Sequence, residues 1–386
     1  MDQPSELLPI TKEELESRLK RVRSSLHSTA ACALVVSTEA NFVYLTDLRF
    51  DPLWSSPTRS LILVVRVEGP PTFILPSFVA EEARSKWPDA EIRAYEAPPE
   101  RVVHRLLETL ATCPPGPVAF ELEPESRVGI SLEDWAVLQA SLSREVIDGQ
   151  RLLWHARLRK SSSELQRLRL ASHATSAAFQ SLFEQELSGR SERELARSLL
   201  ASALAAGADR AGWIGITSGS GSYARFVSGP RDRVPELGDM IWADVGVIAD
   251  GYWSDFCRAG VIGGPTPRQR DLQAQIVEAT LAGVAAARPG APVSEVASSC
   301  RKRCEELGLR ILGFGRLGHG IGLSATEPPS IAEWDNSILK PGMVITVEPA
   351  VVDDSGLYCA EQVIAISESG EPEILSTAPT HLATLS

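Results

Sequence analysis

Five side chains in the second half of this 386-residue chain are of types that ligate metal ions, and four of them are spaced to meet in pairs. Asp244 and Asp255 flank Ala249-Asp250-Gly251, and Asp-Gly between two apolar runs is a strong hairpin signal. In a hairpin with an even-length loop, directly paired residues have numbers of odd sum, a rule that Asp244 and Asp255 satisfy. Their carboxylates therefore share a sheet face, opposite each other or one diagonal step apart, within about 8 Å. Glu348 and Glu361 repeat the arrangement around the turn Asp353-Asp354-Ser355-Gly356. The flanking runs, 343–352 and 357–366, are rich in Val and Ile, as buried strands are. An acid pair alone reads equally well as a solvated strand face, but Trp242, Tyr252, Trp253 and Phe256 mark a covered sheet. A carboxylate in a buried strand is costly unless paired or metal-bound. Two such hairpins in one domain call for a cation.

The fifth side chain is His319, set in Gly318-His319-Gly320-Ile321-Gly322, where glycines on both sides allow close backbone approach to a ligand. It is the only histidine between His173 and His381. A lone His is more often a satisfied core or surface residue than a ligand, and the clustered acids reverse that reading. Four carboxylates and one imidazole form a hard, oxygen-rich set suited to Mn, Co, Fe or Zn. Five ligands, two of them able to bridge, suit a pair of ions about 3.5–4 Å apart that activate a water between them.

The elements that must position these residues fall into two groups. Residues 11–26 carry Leu15, Leu19, Val22 and Leu26 at helical spacing. Short apolar runs at 32–36, 42–45, 61–67 and 72–75 follow, separated by Asn, Asp, Pro and Gly in the manner of strands. Helical patterns near 78–86 and 101–110 alternate with strand-like runs at 118–122 and 145–148, which makes an α/β domain over residues 1–158. The second domain, 159–386, opens with helices. Ser163 is placed to cap one running to about Leu187, and Ser191 with Glu194 forms a capping box for the next. Further helices start near Pro267 and Ser294, and from Asp239 onward the other segments are largely strand-like. That pattern is α+β, with helices packed on an antiparallel sheet.

Composition narrows the function. Hydrophobic content of 44% and charged content of 23% are those of an ordinary globular chain. Fifty acids against 38 bases give a formal charge of −12, which disfavours nucleic acid as a partner. No apolar stretch approaches a membrane span, and the acidic, Pro-bearing start is not a signal peptide. The expectation is a cytoplasmic protein whose six cysteines are reduced.

The ordered set Asp244-Val-Gly, Ser254-Asp255 with Arg258, Gly318-His319-Gly320, Thr346-Val-Glu348-Pro349 and Glu361 resembles the creatinase, prolidase and aminopeptidase P family. The spacings of 11, 64, 29 and 13 residues look like those of prolidases. Lys160-Ser-Ser-Ser-Glu164 is similar to the usual start of the catalytic domain, and Asn41-Phe-Val-Tyr-Leu-Thr46 to a strand of the N-terminal domain. The resemblance implies a pita-bread catalytic domain preceded by a smaller creatinase-like domain that narrows the cleft to small substrates. It implies that Asp255 and Glu361 bridge two divalent ions, manganese ahead of Co, Zn or Fe. Asp244 would complete one site, and His319 with Glu348 the other. A metal-bridging hydroxide would attack an amide carbonyl while Glu348 handles the proton, as in Xaa-Pro dipeptidases and aminopeptidase P. Homodimers are usual in the family.

The pattern also departs from the family's peptidases. Gly315 stands where a His usually lies four residues before the ligand His, and Thr326 where another lies seven after it. A third usual His falls near Val227, and the Arg that commonly precedes the last Glu by two is Cys359. Thr326 can donate a hydrogen bond to substrate but cannot act as a base near neutral pH. It reads equally as a structural residue of the Thr-Glu-Pro-Pro turn. Cys359 reads as a small buried residue, and Cys300 with Cys304 as the core face of one helix. The eight tryptophans read as packing of the core and cleft, with pocket lining the alternative for Trp213, Trp242 or Trp253. The leading expectation is a dinuclear metallohydrolase of Xaa-Pro peptides. A metal-dependent enzyme specialised for a non-peptide small molecule, by C–N hydrolysis or elimination, stands close behind it. A non-catalytic binding module ranks third.

Overall fold

A computed structural model describes residues 7–56, 58–96, 100–123, 126–313 and 315–386. Two compact units emerge, Pro9–Arg157 and Leu158–Ser386, the latter joined by Leu7 and Leu8. The first is built on a six-stranded sheet ordered Glu91–Tyr95, Thr72–Pro76, Ile62–Arg66, Ala33–Val36, Val118–Phe120, Val146–Asp148. Ile62–Arg66 runs antiparallel to both neighbours, and the other pairings are parallel. The expected α/β layering is present, with one correction. Asn41–Thr46 is not a strand; it lies in the helix Glu39–Thr46. Every residue from Asn41 to Thr46 is buried, so no polar face reveals a helical period. Glu121 fixes where this helix starts. Its carboxylate accepts from the backbone N–H of Ser37 (2.6 Å) and Thr38 (3.1 Å), from the Thr38 hydroxyl and from the Asn41 amide. An acid at that end also complements the helix dipole.

The second unit carries the helices Ser162–Glu184, Glu192–Ala205, Pro267–Ala286 and Val293–Glu306. Ser191 caps as expected, but the first helix is capped by Ser161 rather than Ser163. Glu164 reaches back to the Ser161 N–H at 2.9 Å, whereas Gln166, which would serve Ser163 in the same way, is held by the Leu8 N–H at 2.8 Å. One sheet runs Ala383–Leu385, Phe256–Ile262, Met240–Ala249, Arg210–Ser218, with Tyr252–Trp253 folded back on Met240–Ala249. A second runs Glu327–Ser330, His319–Gly320, Val344–Val347, Gln362–Ala365, Glu373–Ile374, and Ala350–Asp353 pairs with Gly356–Cys359. All these ladders are antiparallel except that of Ala383–Leu385, which runs parallel to Phe256–Ile262.

Helices cover the sheets by burying apolar stripes. Leu168, Phe179 and Leu199 pack against Val245, Val247 and Phe256 of the first sheet. Val284, Val293, Val296 and Cys300 pack against Ile345, Val347 and Ile364 of the second. Cys300 and Cys304 lie in the core of one helix, and all six cysteines are free and buried.

Arg258 ties the two sheets together. It alternates with Asp255 and Cys257 along its strand, so its side chain lies on the opposite face, and it is fully buried. Its guanidinium donates to the carbonyls of Cys257 and Glu361 (both 2.7 Å), Ala378 (2.9 Å) and Ser376 (3.2 Å). Replacing it with an apolar residue strands several buried acceptors at once. Arg258→Leu is therefore expected to destabilise the fold by about 3 kcal/mol or more. Arg258→Lys is expected to recover under half of that, because one ammonium cannot match the planar fork. Urea unfolding of the three proteins checks it, and equal midpoints would contradict the tie.

Candidate metal centre

Both acid hairpins form, and their registers decide how close the acids come. Asp250 and Gly251 both have positive φ (46° and 82°), the backbone of a tight two-residue hairpin turn. From that turn the ladder runs without slipping, through Ile248 opposite Trp253 to Asp244 opposite Cys257. Asp255 is thus the diagonal neighbour of Asp244 on one face, not its direct partner. Arg210–Ser218, absent from the expected strands because its glycines hide any alternation, flanks the other side and brings Gly215 opposite Asp244.

Glu348 and Glu361 sit at a gap between two ladders that keep one register. Val347 faces Gln362 on one side of the gap, and Ala350 faces Cys359 on the other. By continuation Glu348 lies directly across from Glu361. Freed from the ladder, both residues carry their carboxylates to the cavity without disturbing the strands that hold them.

His319 enters from the neighbouring strand, where Gly320 pairs with Ile345. A Cβ at Gly318 would collide with the Thr346 carbonyl, and one at Gly320 with that of Pro328, so glycine is required at both. The backbone N–H of His319 donates to Thr346 Oγ1 (3.1 Å), which in turn lies 3.5 Å from Glu348 Oε1. Its Nδ1 lies 2.9 Å from the Gly320 carbonyl and donates to it. That leaves the Nε2 lone pair facing Asp255 Oδ2 and Glu348 Oε1, each at 3.6 Å.

Asp244, Asp255, His319, Thr326, Glu348 and Glu361 all line one cavity of about 430 Å³, with Trp213, Trp242 and Arg316. Trp253 is not among its lining residues; it packs against the core beneath. Burial pushes Asp244 up to about 7, against the pull of the Trp213 side chain and the Val245 N–H. Burial and then the charge of Asp244 push Glu348 to about 7, although its side chain keeps 30% exposure toward the cavity. Burial and neighbouring carboxylates raise Asp255 and Glu361 well above the usual range. Burial holds the His319 imidazole down at about 4, so it is neutral.

A divalent cation fits this arrangement. Asp244 Oδ1 and Glu361 Oε1 are buried without a hydrogen-bond partner. Ligand atoms of Asp255, His319 and Glu361 lie within 4.8 Å of one another. A neutral imidazole whose lone pair faces two carboxylate oxygens is a ligand set in want of a cation.

The four departures take distinct positions. Val227 lies at the cavity wall, 84% exposed. Gly315 is exposed with φ of 82° and open space where a Cβ would stand. Thr326 lines the cavity at the edge of Glu327–Ser330, which is a strand rather than the expected turn. Cys359 is buried, its thiol hydrogen-bonded to that of Cys257. Two positioning features were not read from the sequence. Lys160 forms a buried ion pair with Glu327 (3.1 Å), and Glu327 also accepts from the Ser324 N–H, holding the loop that carries Thr326. Arg316, three residues before His319, is the one Lys or Arg among the described residues lining the cavity. Its signal was a cation inside a glycine-rich run beside the histidine.

Residues 166–369 match the family model "Metallopeptidase family M24", and residues 18–159 that of the "Creatinase/Prolidase N-terminal domain". The Xaa-Pro dipeptidase of Pyrococcus furiosus is 31% identical over 223 residues, 57% of this chain and 64%, just under two thirds, of that enzyme's length. The Xaa-Pro dipeptidase of Lactobacillus delbrueckii subsp. lactis is 26% identical over 342 residues, 86% of this chain and 89% of that one. Among solved structures, the Xaa-Pro dipeptidase from Bacillus anthracis superposes with a TM-score of 0.84 at 23% identity, covering 96% of this chain and all of that one. At that identity the structural likeness carries the fold.

In the metal-free protein the four carboxylates retain protons that the unfolded chain releases at ordinary carboxylate pKa. Folded-state pKa values above the unfolded ones mean that this stability is complete at low pH and is lost as pH rises through about 7. Chelator-treated protein is thus expected to melt at a lower temperature near pH 8 than near pH 5.5. Added Mn2+ should raise the midpoint by several degrees near pH 8 and by less near pH 5.5, where protons compete. Calorimetry with and without chelator tests it; midpoints indifferent to pH and metal would remove the need for a cation.

Proposed function

The chain belongs to metallopeptidase family M24, in the creatinase, prolidase and aminopeptidase P group, and on that footing we propose that it is a dinuclear metal-dependent hydrolase of small amides, with Xaa-Pro dipeptides the first substrate class. The observation that carries this reading is the convergence of four carboxylates and one neutral imidazole on one cavity. Asp255 and Glu361 would be shared by two ions, Asp244 would complete one site and His319 with Glu348 the other, and manganese would be the first choice of metal. Bound there, two divalent ions supply Lewis acidity toward a carbonyl oxygen and make water nucleophilic near neutral pH.

The chain's own residues do the rest. Glu348, with a carboxylate edge open to the cavity, takes the proton that water loses on attack and returns it to the leaving amine. Thr346 steers Glu348 and His319 together through its hydroxyl. Thr326 donates a hydrogen bond to substrate, and the indole faces of Trp213 and Trp242 exclude water around it. The domain division we assign is 1–158 and 159–386. We further assign a cytoplasmic homodimer with no nucleic-acid or membrane partner; among the described residues no helix is long and apolar enough to cross a membrane.

A second reading has its own support. At Gly315, Val227 and Cys359, where the family's peptidases carry His or Arg, this chain offers an exposed glycine, an exposed valine and a buried thiol. A site that positions its substrate without those donors suits a non-peptide small molecule cut at a C–N bond or opened by elimination.

Metal analysis of the purified protein, followed by loading with Mn, Co, Zn or Fe and assay on Gly-Pro, Ala-Pro and a longer Xaa-Pro peptide, separates the two. About two ions per chain with Xaa-Pro cleavage is the expected result. Two ions without cleavage would transfer the site to the small-molecule reading, and no bound metal would overturn both. His319→Ala and Asp255→Asn are each expected to lower metal content and to cut activity by about 10³-fold or more, several kcal/mol of lost charge stabilisation.

A further inference from the structure

Two thiols stand in the wall of the metal cavity, and the hydrolysis assigned to it does not use them. Cys257 and Cys359 line the cavity that holds the four acids. They come from strands of separate sheets, Phe256–Ile262 and Gly356–Cys359, and the Cys257 thiol donates a hydrogen bond to the Cys359 sulfur. The other four cysteines are engaged differently. Cys32 and Cys113 donate to the carbonyls of Gly116 (3.7 Å) and Thr109 (3.6 Å), and Cys300 and Cys304 lie in the core of one helix. Cys257 pairs with Asp244 across the ladder, so it shares the sheet face that carries Asp244 and Asp255. Its sulfur also accepts from the backbone N–H of Glu361, and Cys359 stands two residues before that acid. The half-exposed Trp213 and the exposed Val227 line the same cavity, which therefore opens to solvent and admits a small oxidant.

We propose that Cys257 and Cys359 form a reversible oxidation site, closed to a disulfide by hydrogen peroxide, and that closure loosens the neighbouring metal centre. In the first step one thiol sulfur attacks a peroxide oxygen. The O–O bond breaks, the departing hydroxide takes the thiol proton to become water, and that cysteine is left as a sulfenic acid. In the second step the other sulfur attacks the sulfenic sulfur. The S–O bond breaks, and the hydroxide leaves with the remaining thiol proton as a second water. The two sulfurs have together given two electrons to one peroxide, and a dithiol reductant returns them. Burial pushes the Cys257 thiol well up; at Cys359 the hydrogen bond from Cys257 pulls down, and burial with the nearby acids outweighs it. Both therefore rest as thiols, and peroxide acts on them slowly. A disulfide holds its sulfurs about 2.05 Å apart, far closer than hydrogen-bonded thiols. Closure thus draws the Cys257 sulfur off the Glu361 N–H and pulls two strands together across the cavity.

The test treats Mn2+-loaded protein with hydrogen peroxide for hours, desalts it, and alkylates the remaining thiols after unfolding. Peptide mass mapping is expected to find Cys257 and Cys359 joined in one cross-linked peptide, with the other four cysteines alkylated. Mn2+ affinity, measured calorimetrically on the folded oxidised protein, should fall by about 10- to 100-fold, the scale of losing a group that holds a metal ligand. Dithiothreitol should restore it. Cys359→Ala and Cys257→Ala each remove the pair without adding a buried polar group, and either is expected to keep its Mn2+ affinity through the same treatment. Both thiols recovered free, oxidation that stops at one sulfur, or a mapped disulfide with unchanged Mn2+ affinity would each overturn the proposal. An equal loss of affinity in the alanine variants would do the same, because the damage would then lie elsewhere. A reduced protein that binds no Mn2+ would overturn the switch together with the metal centre. The readouts are mass and metal, so a protein that cleaves no amide would sink the hydrolase reading and leave this one standing.

Discussion

Four carboxylates crowded into one cavity, two of them buried and two partly buried, set the terms for the rest of this structure. Each would prefer water, and each raises the cost of ionising the next. In a protein stabilised by only about 5–15 kcal/mol, such a cluster persists only if the scaffold leaves it no room to spread and something neutralises it. Protons can serve, as the raised pKa values of Asp244 and Glu348 indicate, and a pair of divalent ions serves better at neutral pH. The neutral His319, with its Nδ1 proton committed to the Gly320 carbonyl, is arranged for the second solution.

The scaffold's rigidity comes from β-sheet register, braced by a few buried long-range side chains. Asp244 and Asp255 are held by a ladder that starts at a two-residue turn and does not slip. Glu348 and Glu361 are held by two ladders in phase across a gap. The sheets are joined on the far side by Arg258, whose guanidinium binds the carbonyl of Cys257, two residues from Asp255, and that of Glu361, itself a cluster acid. Positioning and stability are therefore supplied by the same backbone hydrogen bonds, and the acids ride on them.

What could be read from the sequence follows from which physics is local. The period of two along a strand is strict, so the shared faces of Asp244 with Asp255 and Glu348 with Glu361 were legible from parity alone. Whether the aspartates were opposite or diagonal was not, since that depends on which hydrogen bonds the ladder selects. The capping box at Ser191 was readable and Pro267 marked the start of a later helix, whereas the choice of Ser161 over Ser163 hung on Gln166 being engaged by Leu8. Asn41–Thr46 defeated pattern reading because a helix buried all round resembles a short strand, and its start depends on Glu121, eighty residues away from Asn41. Arg210–Ser218 was hidden by glycines that admit Trp253 and the Asp244 strand. Arg316 was visible only as a cation out of place, with no local rule to aim it at the cavity.

The gap at Glu348 and Glu361 also limits how this site can change over evolutionary time. Because the ladders on either side are in phase, a residue gained or lost between Val347 and Gln362 has two places to be absorbed. One is the turn at Asp354-Ser355, where the Asp353 carboxylate binds the Ser355 N–H and hydroxyl. The other is the gap itself, where it would displace an acid. Length is therefore closed as a route to new chemistry at the gap itself, and only replacement in place remains open there. Variants of the site would keep their spacing and alter the residues beside the acids, as Cys359 two positions before Glu361 already does.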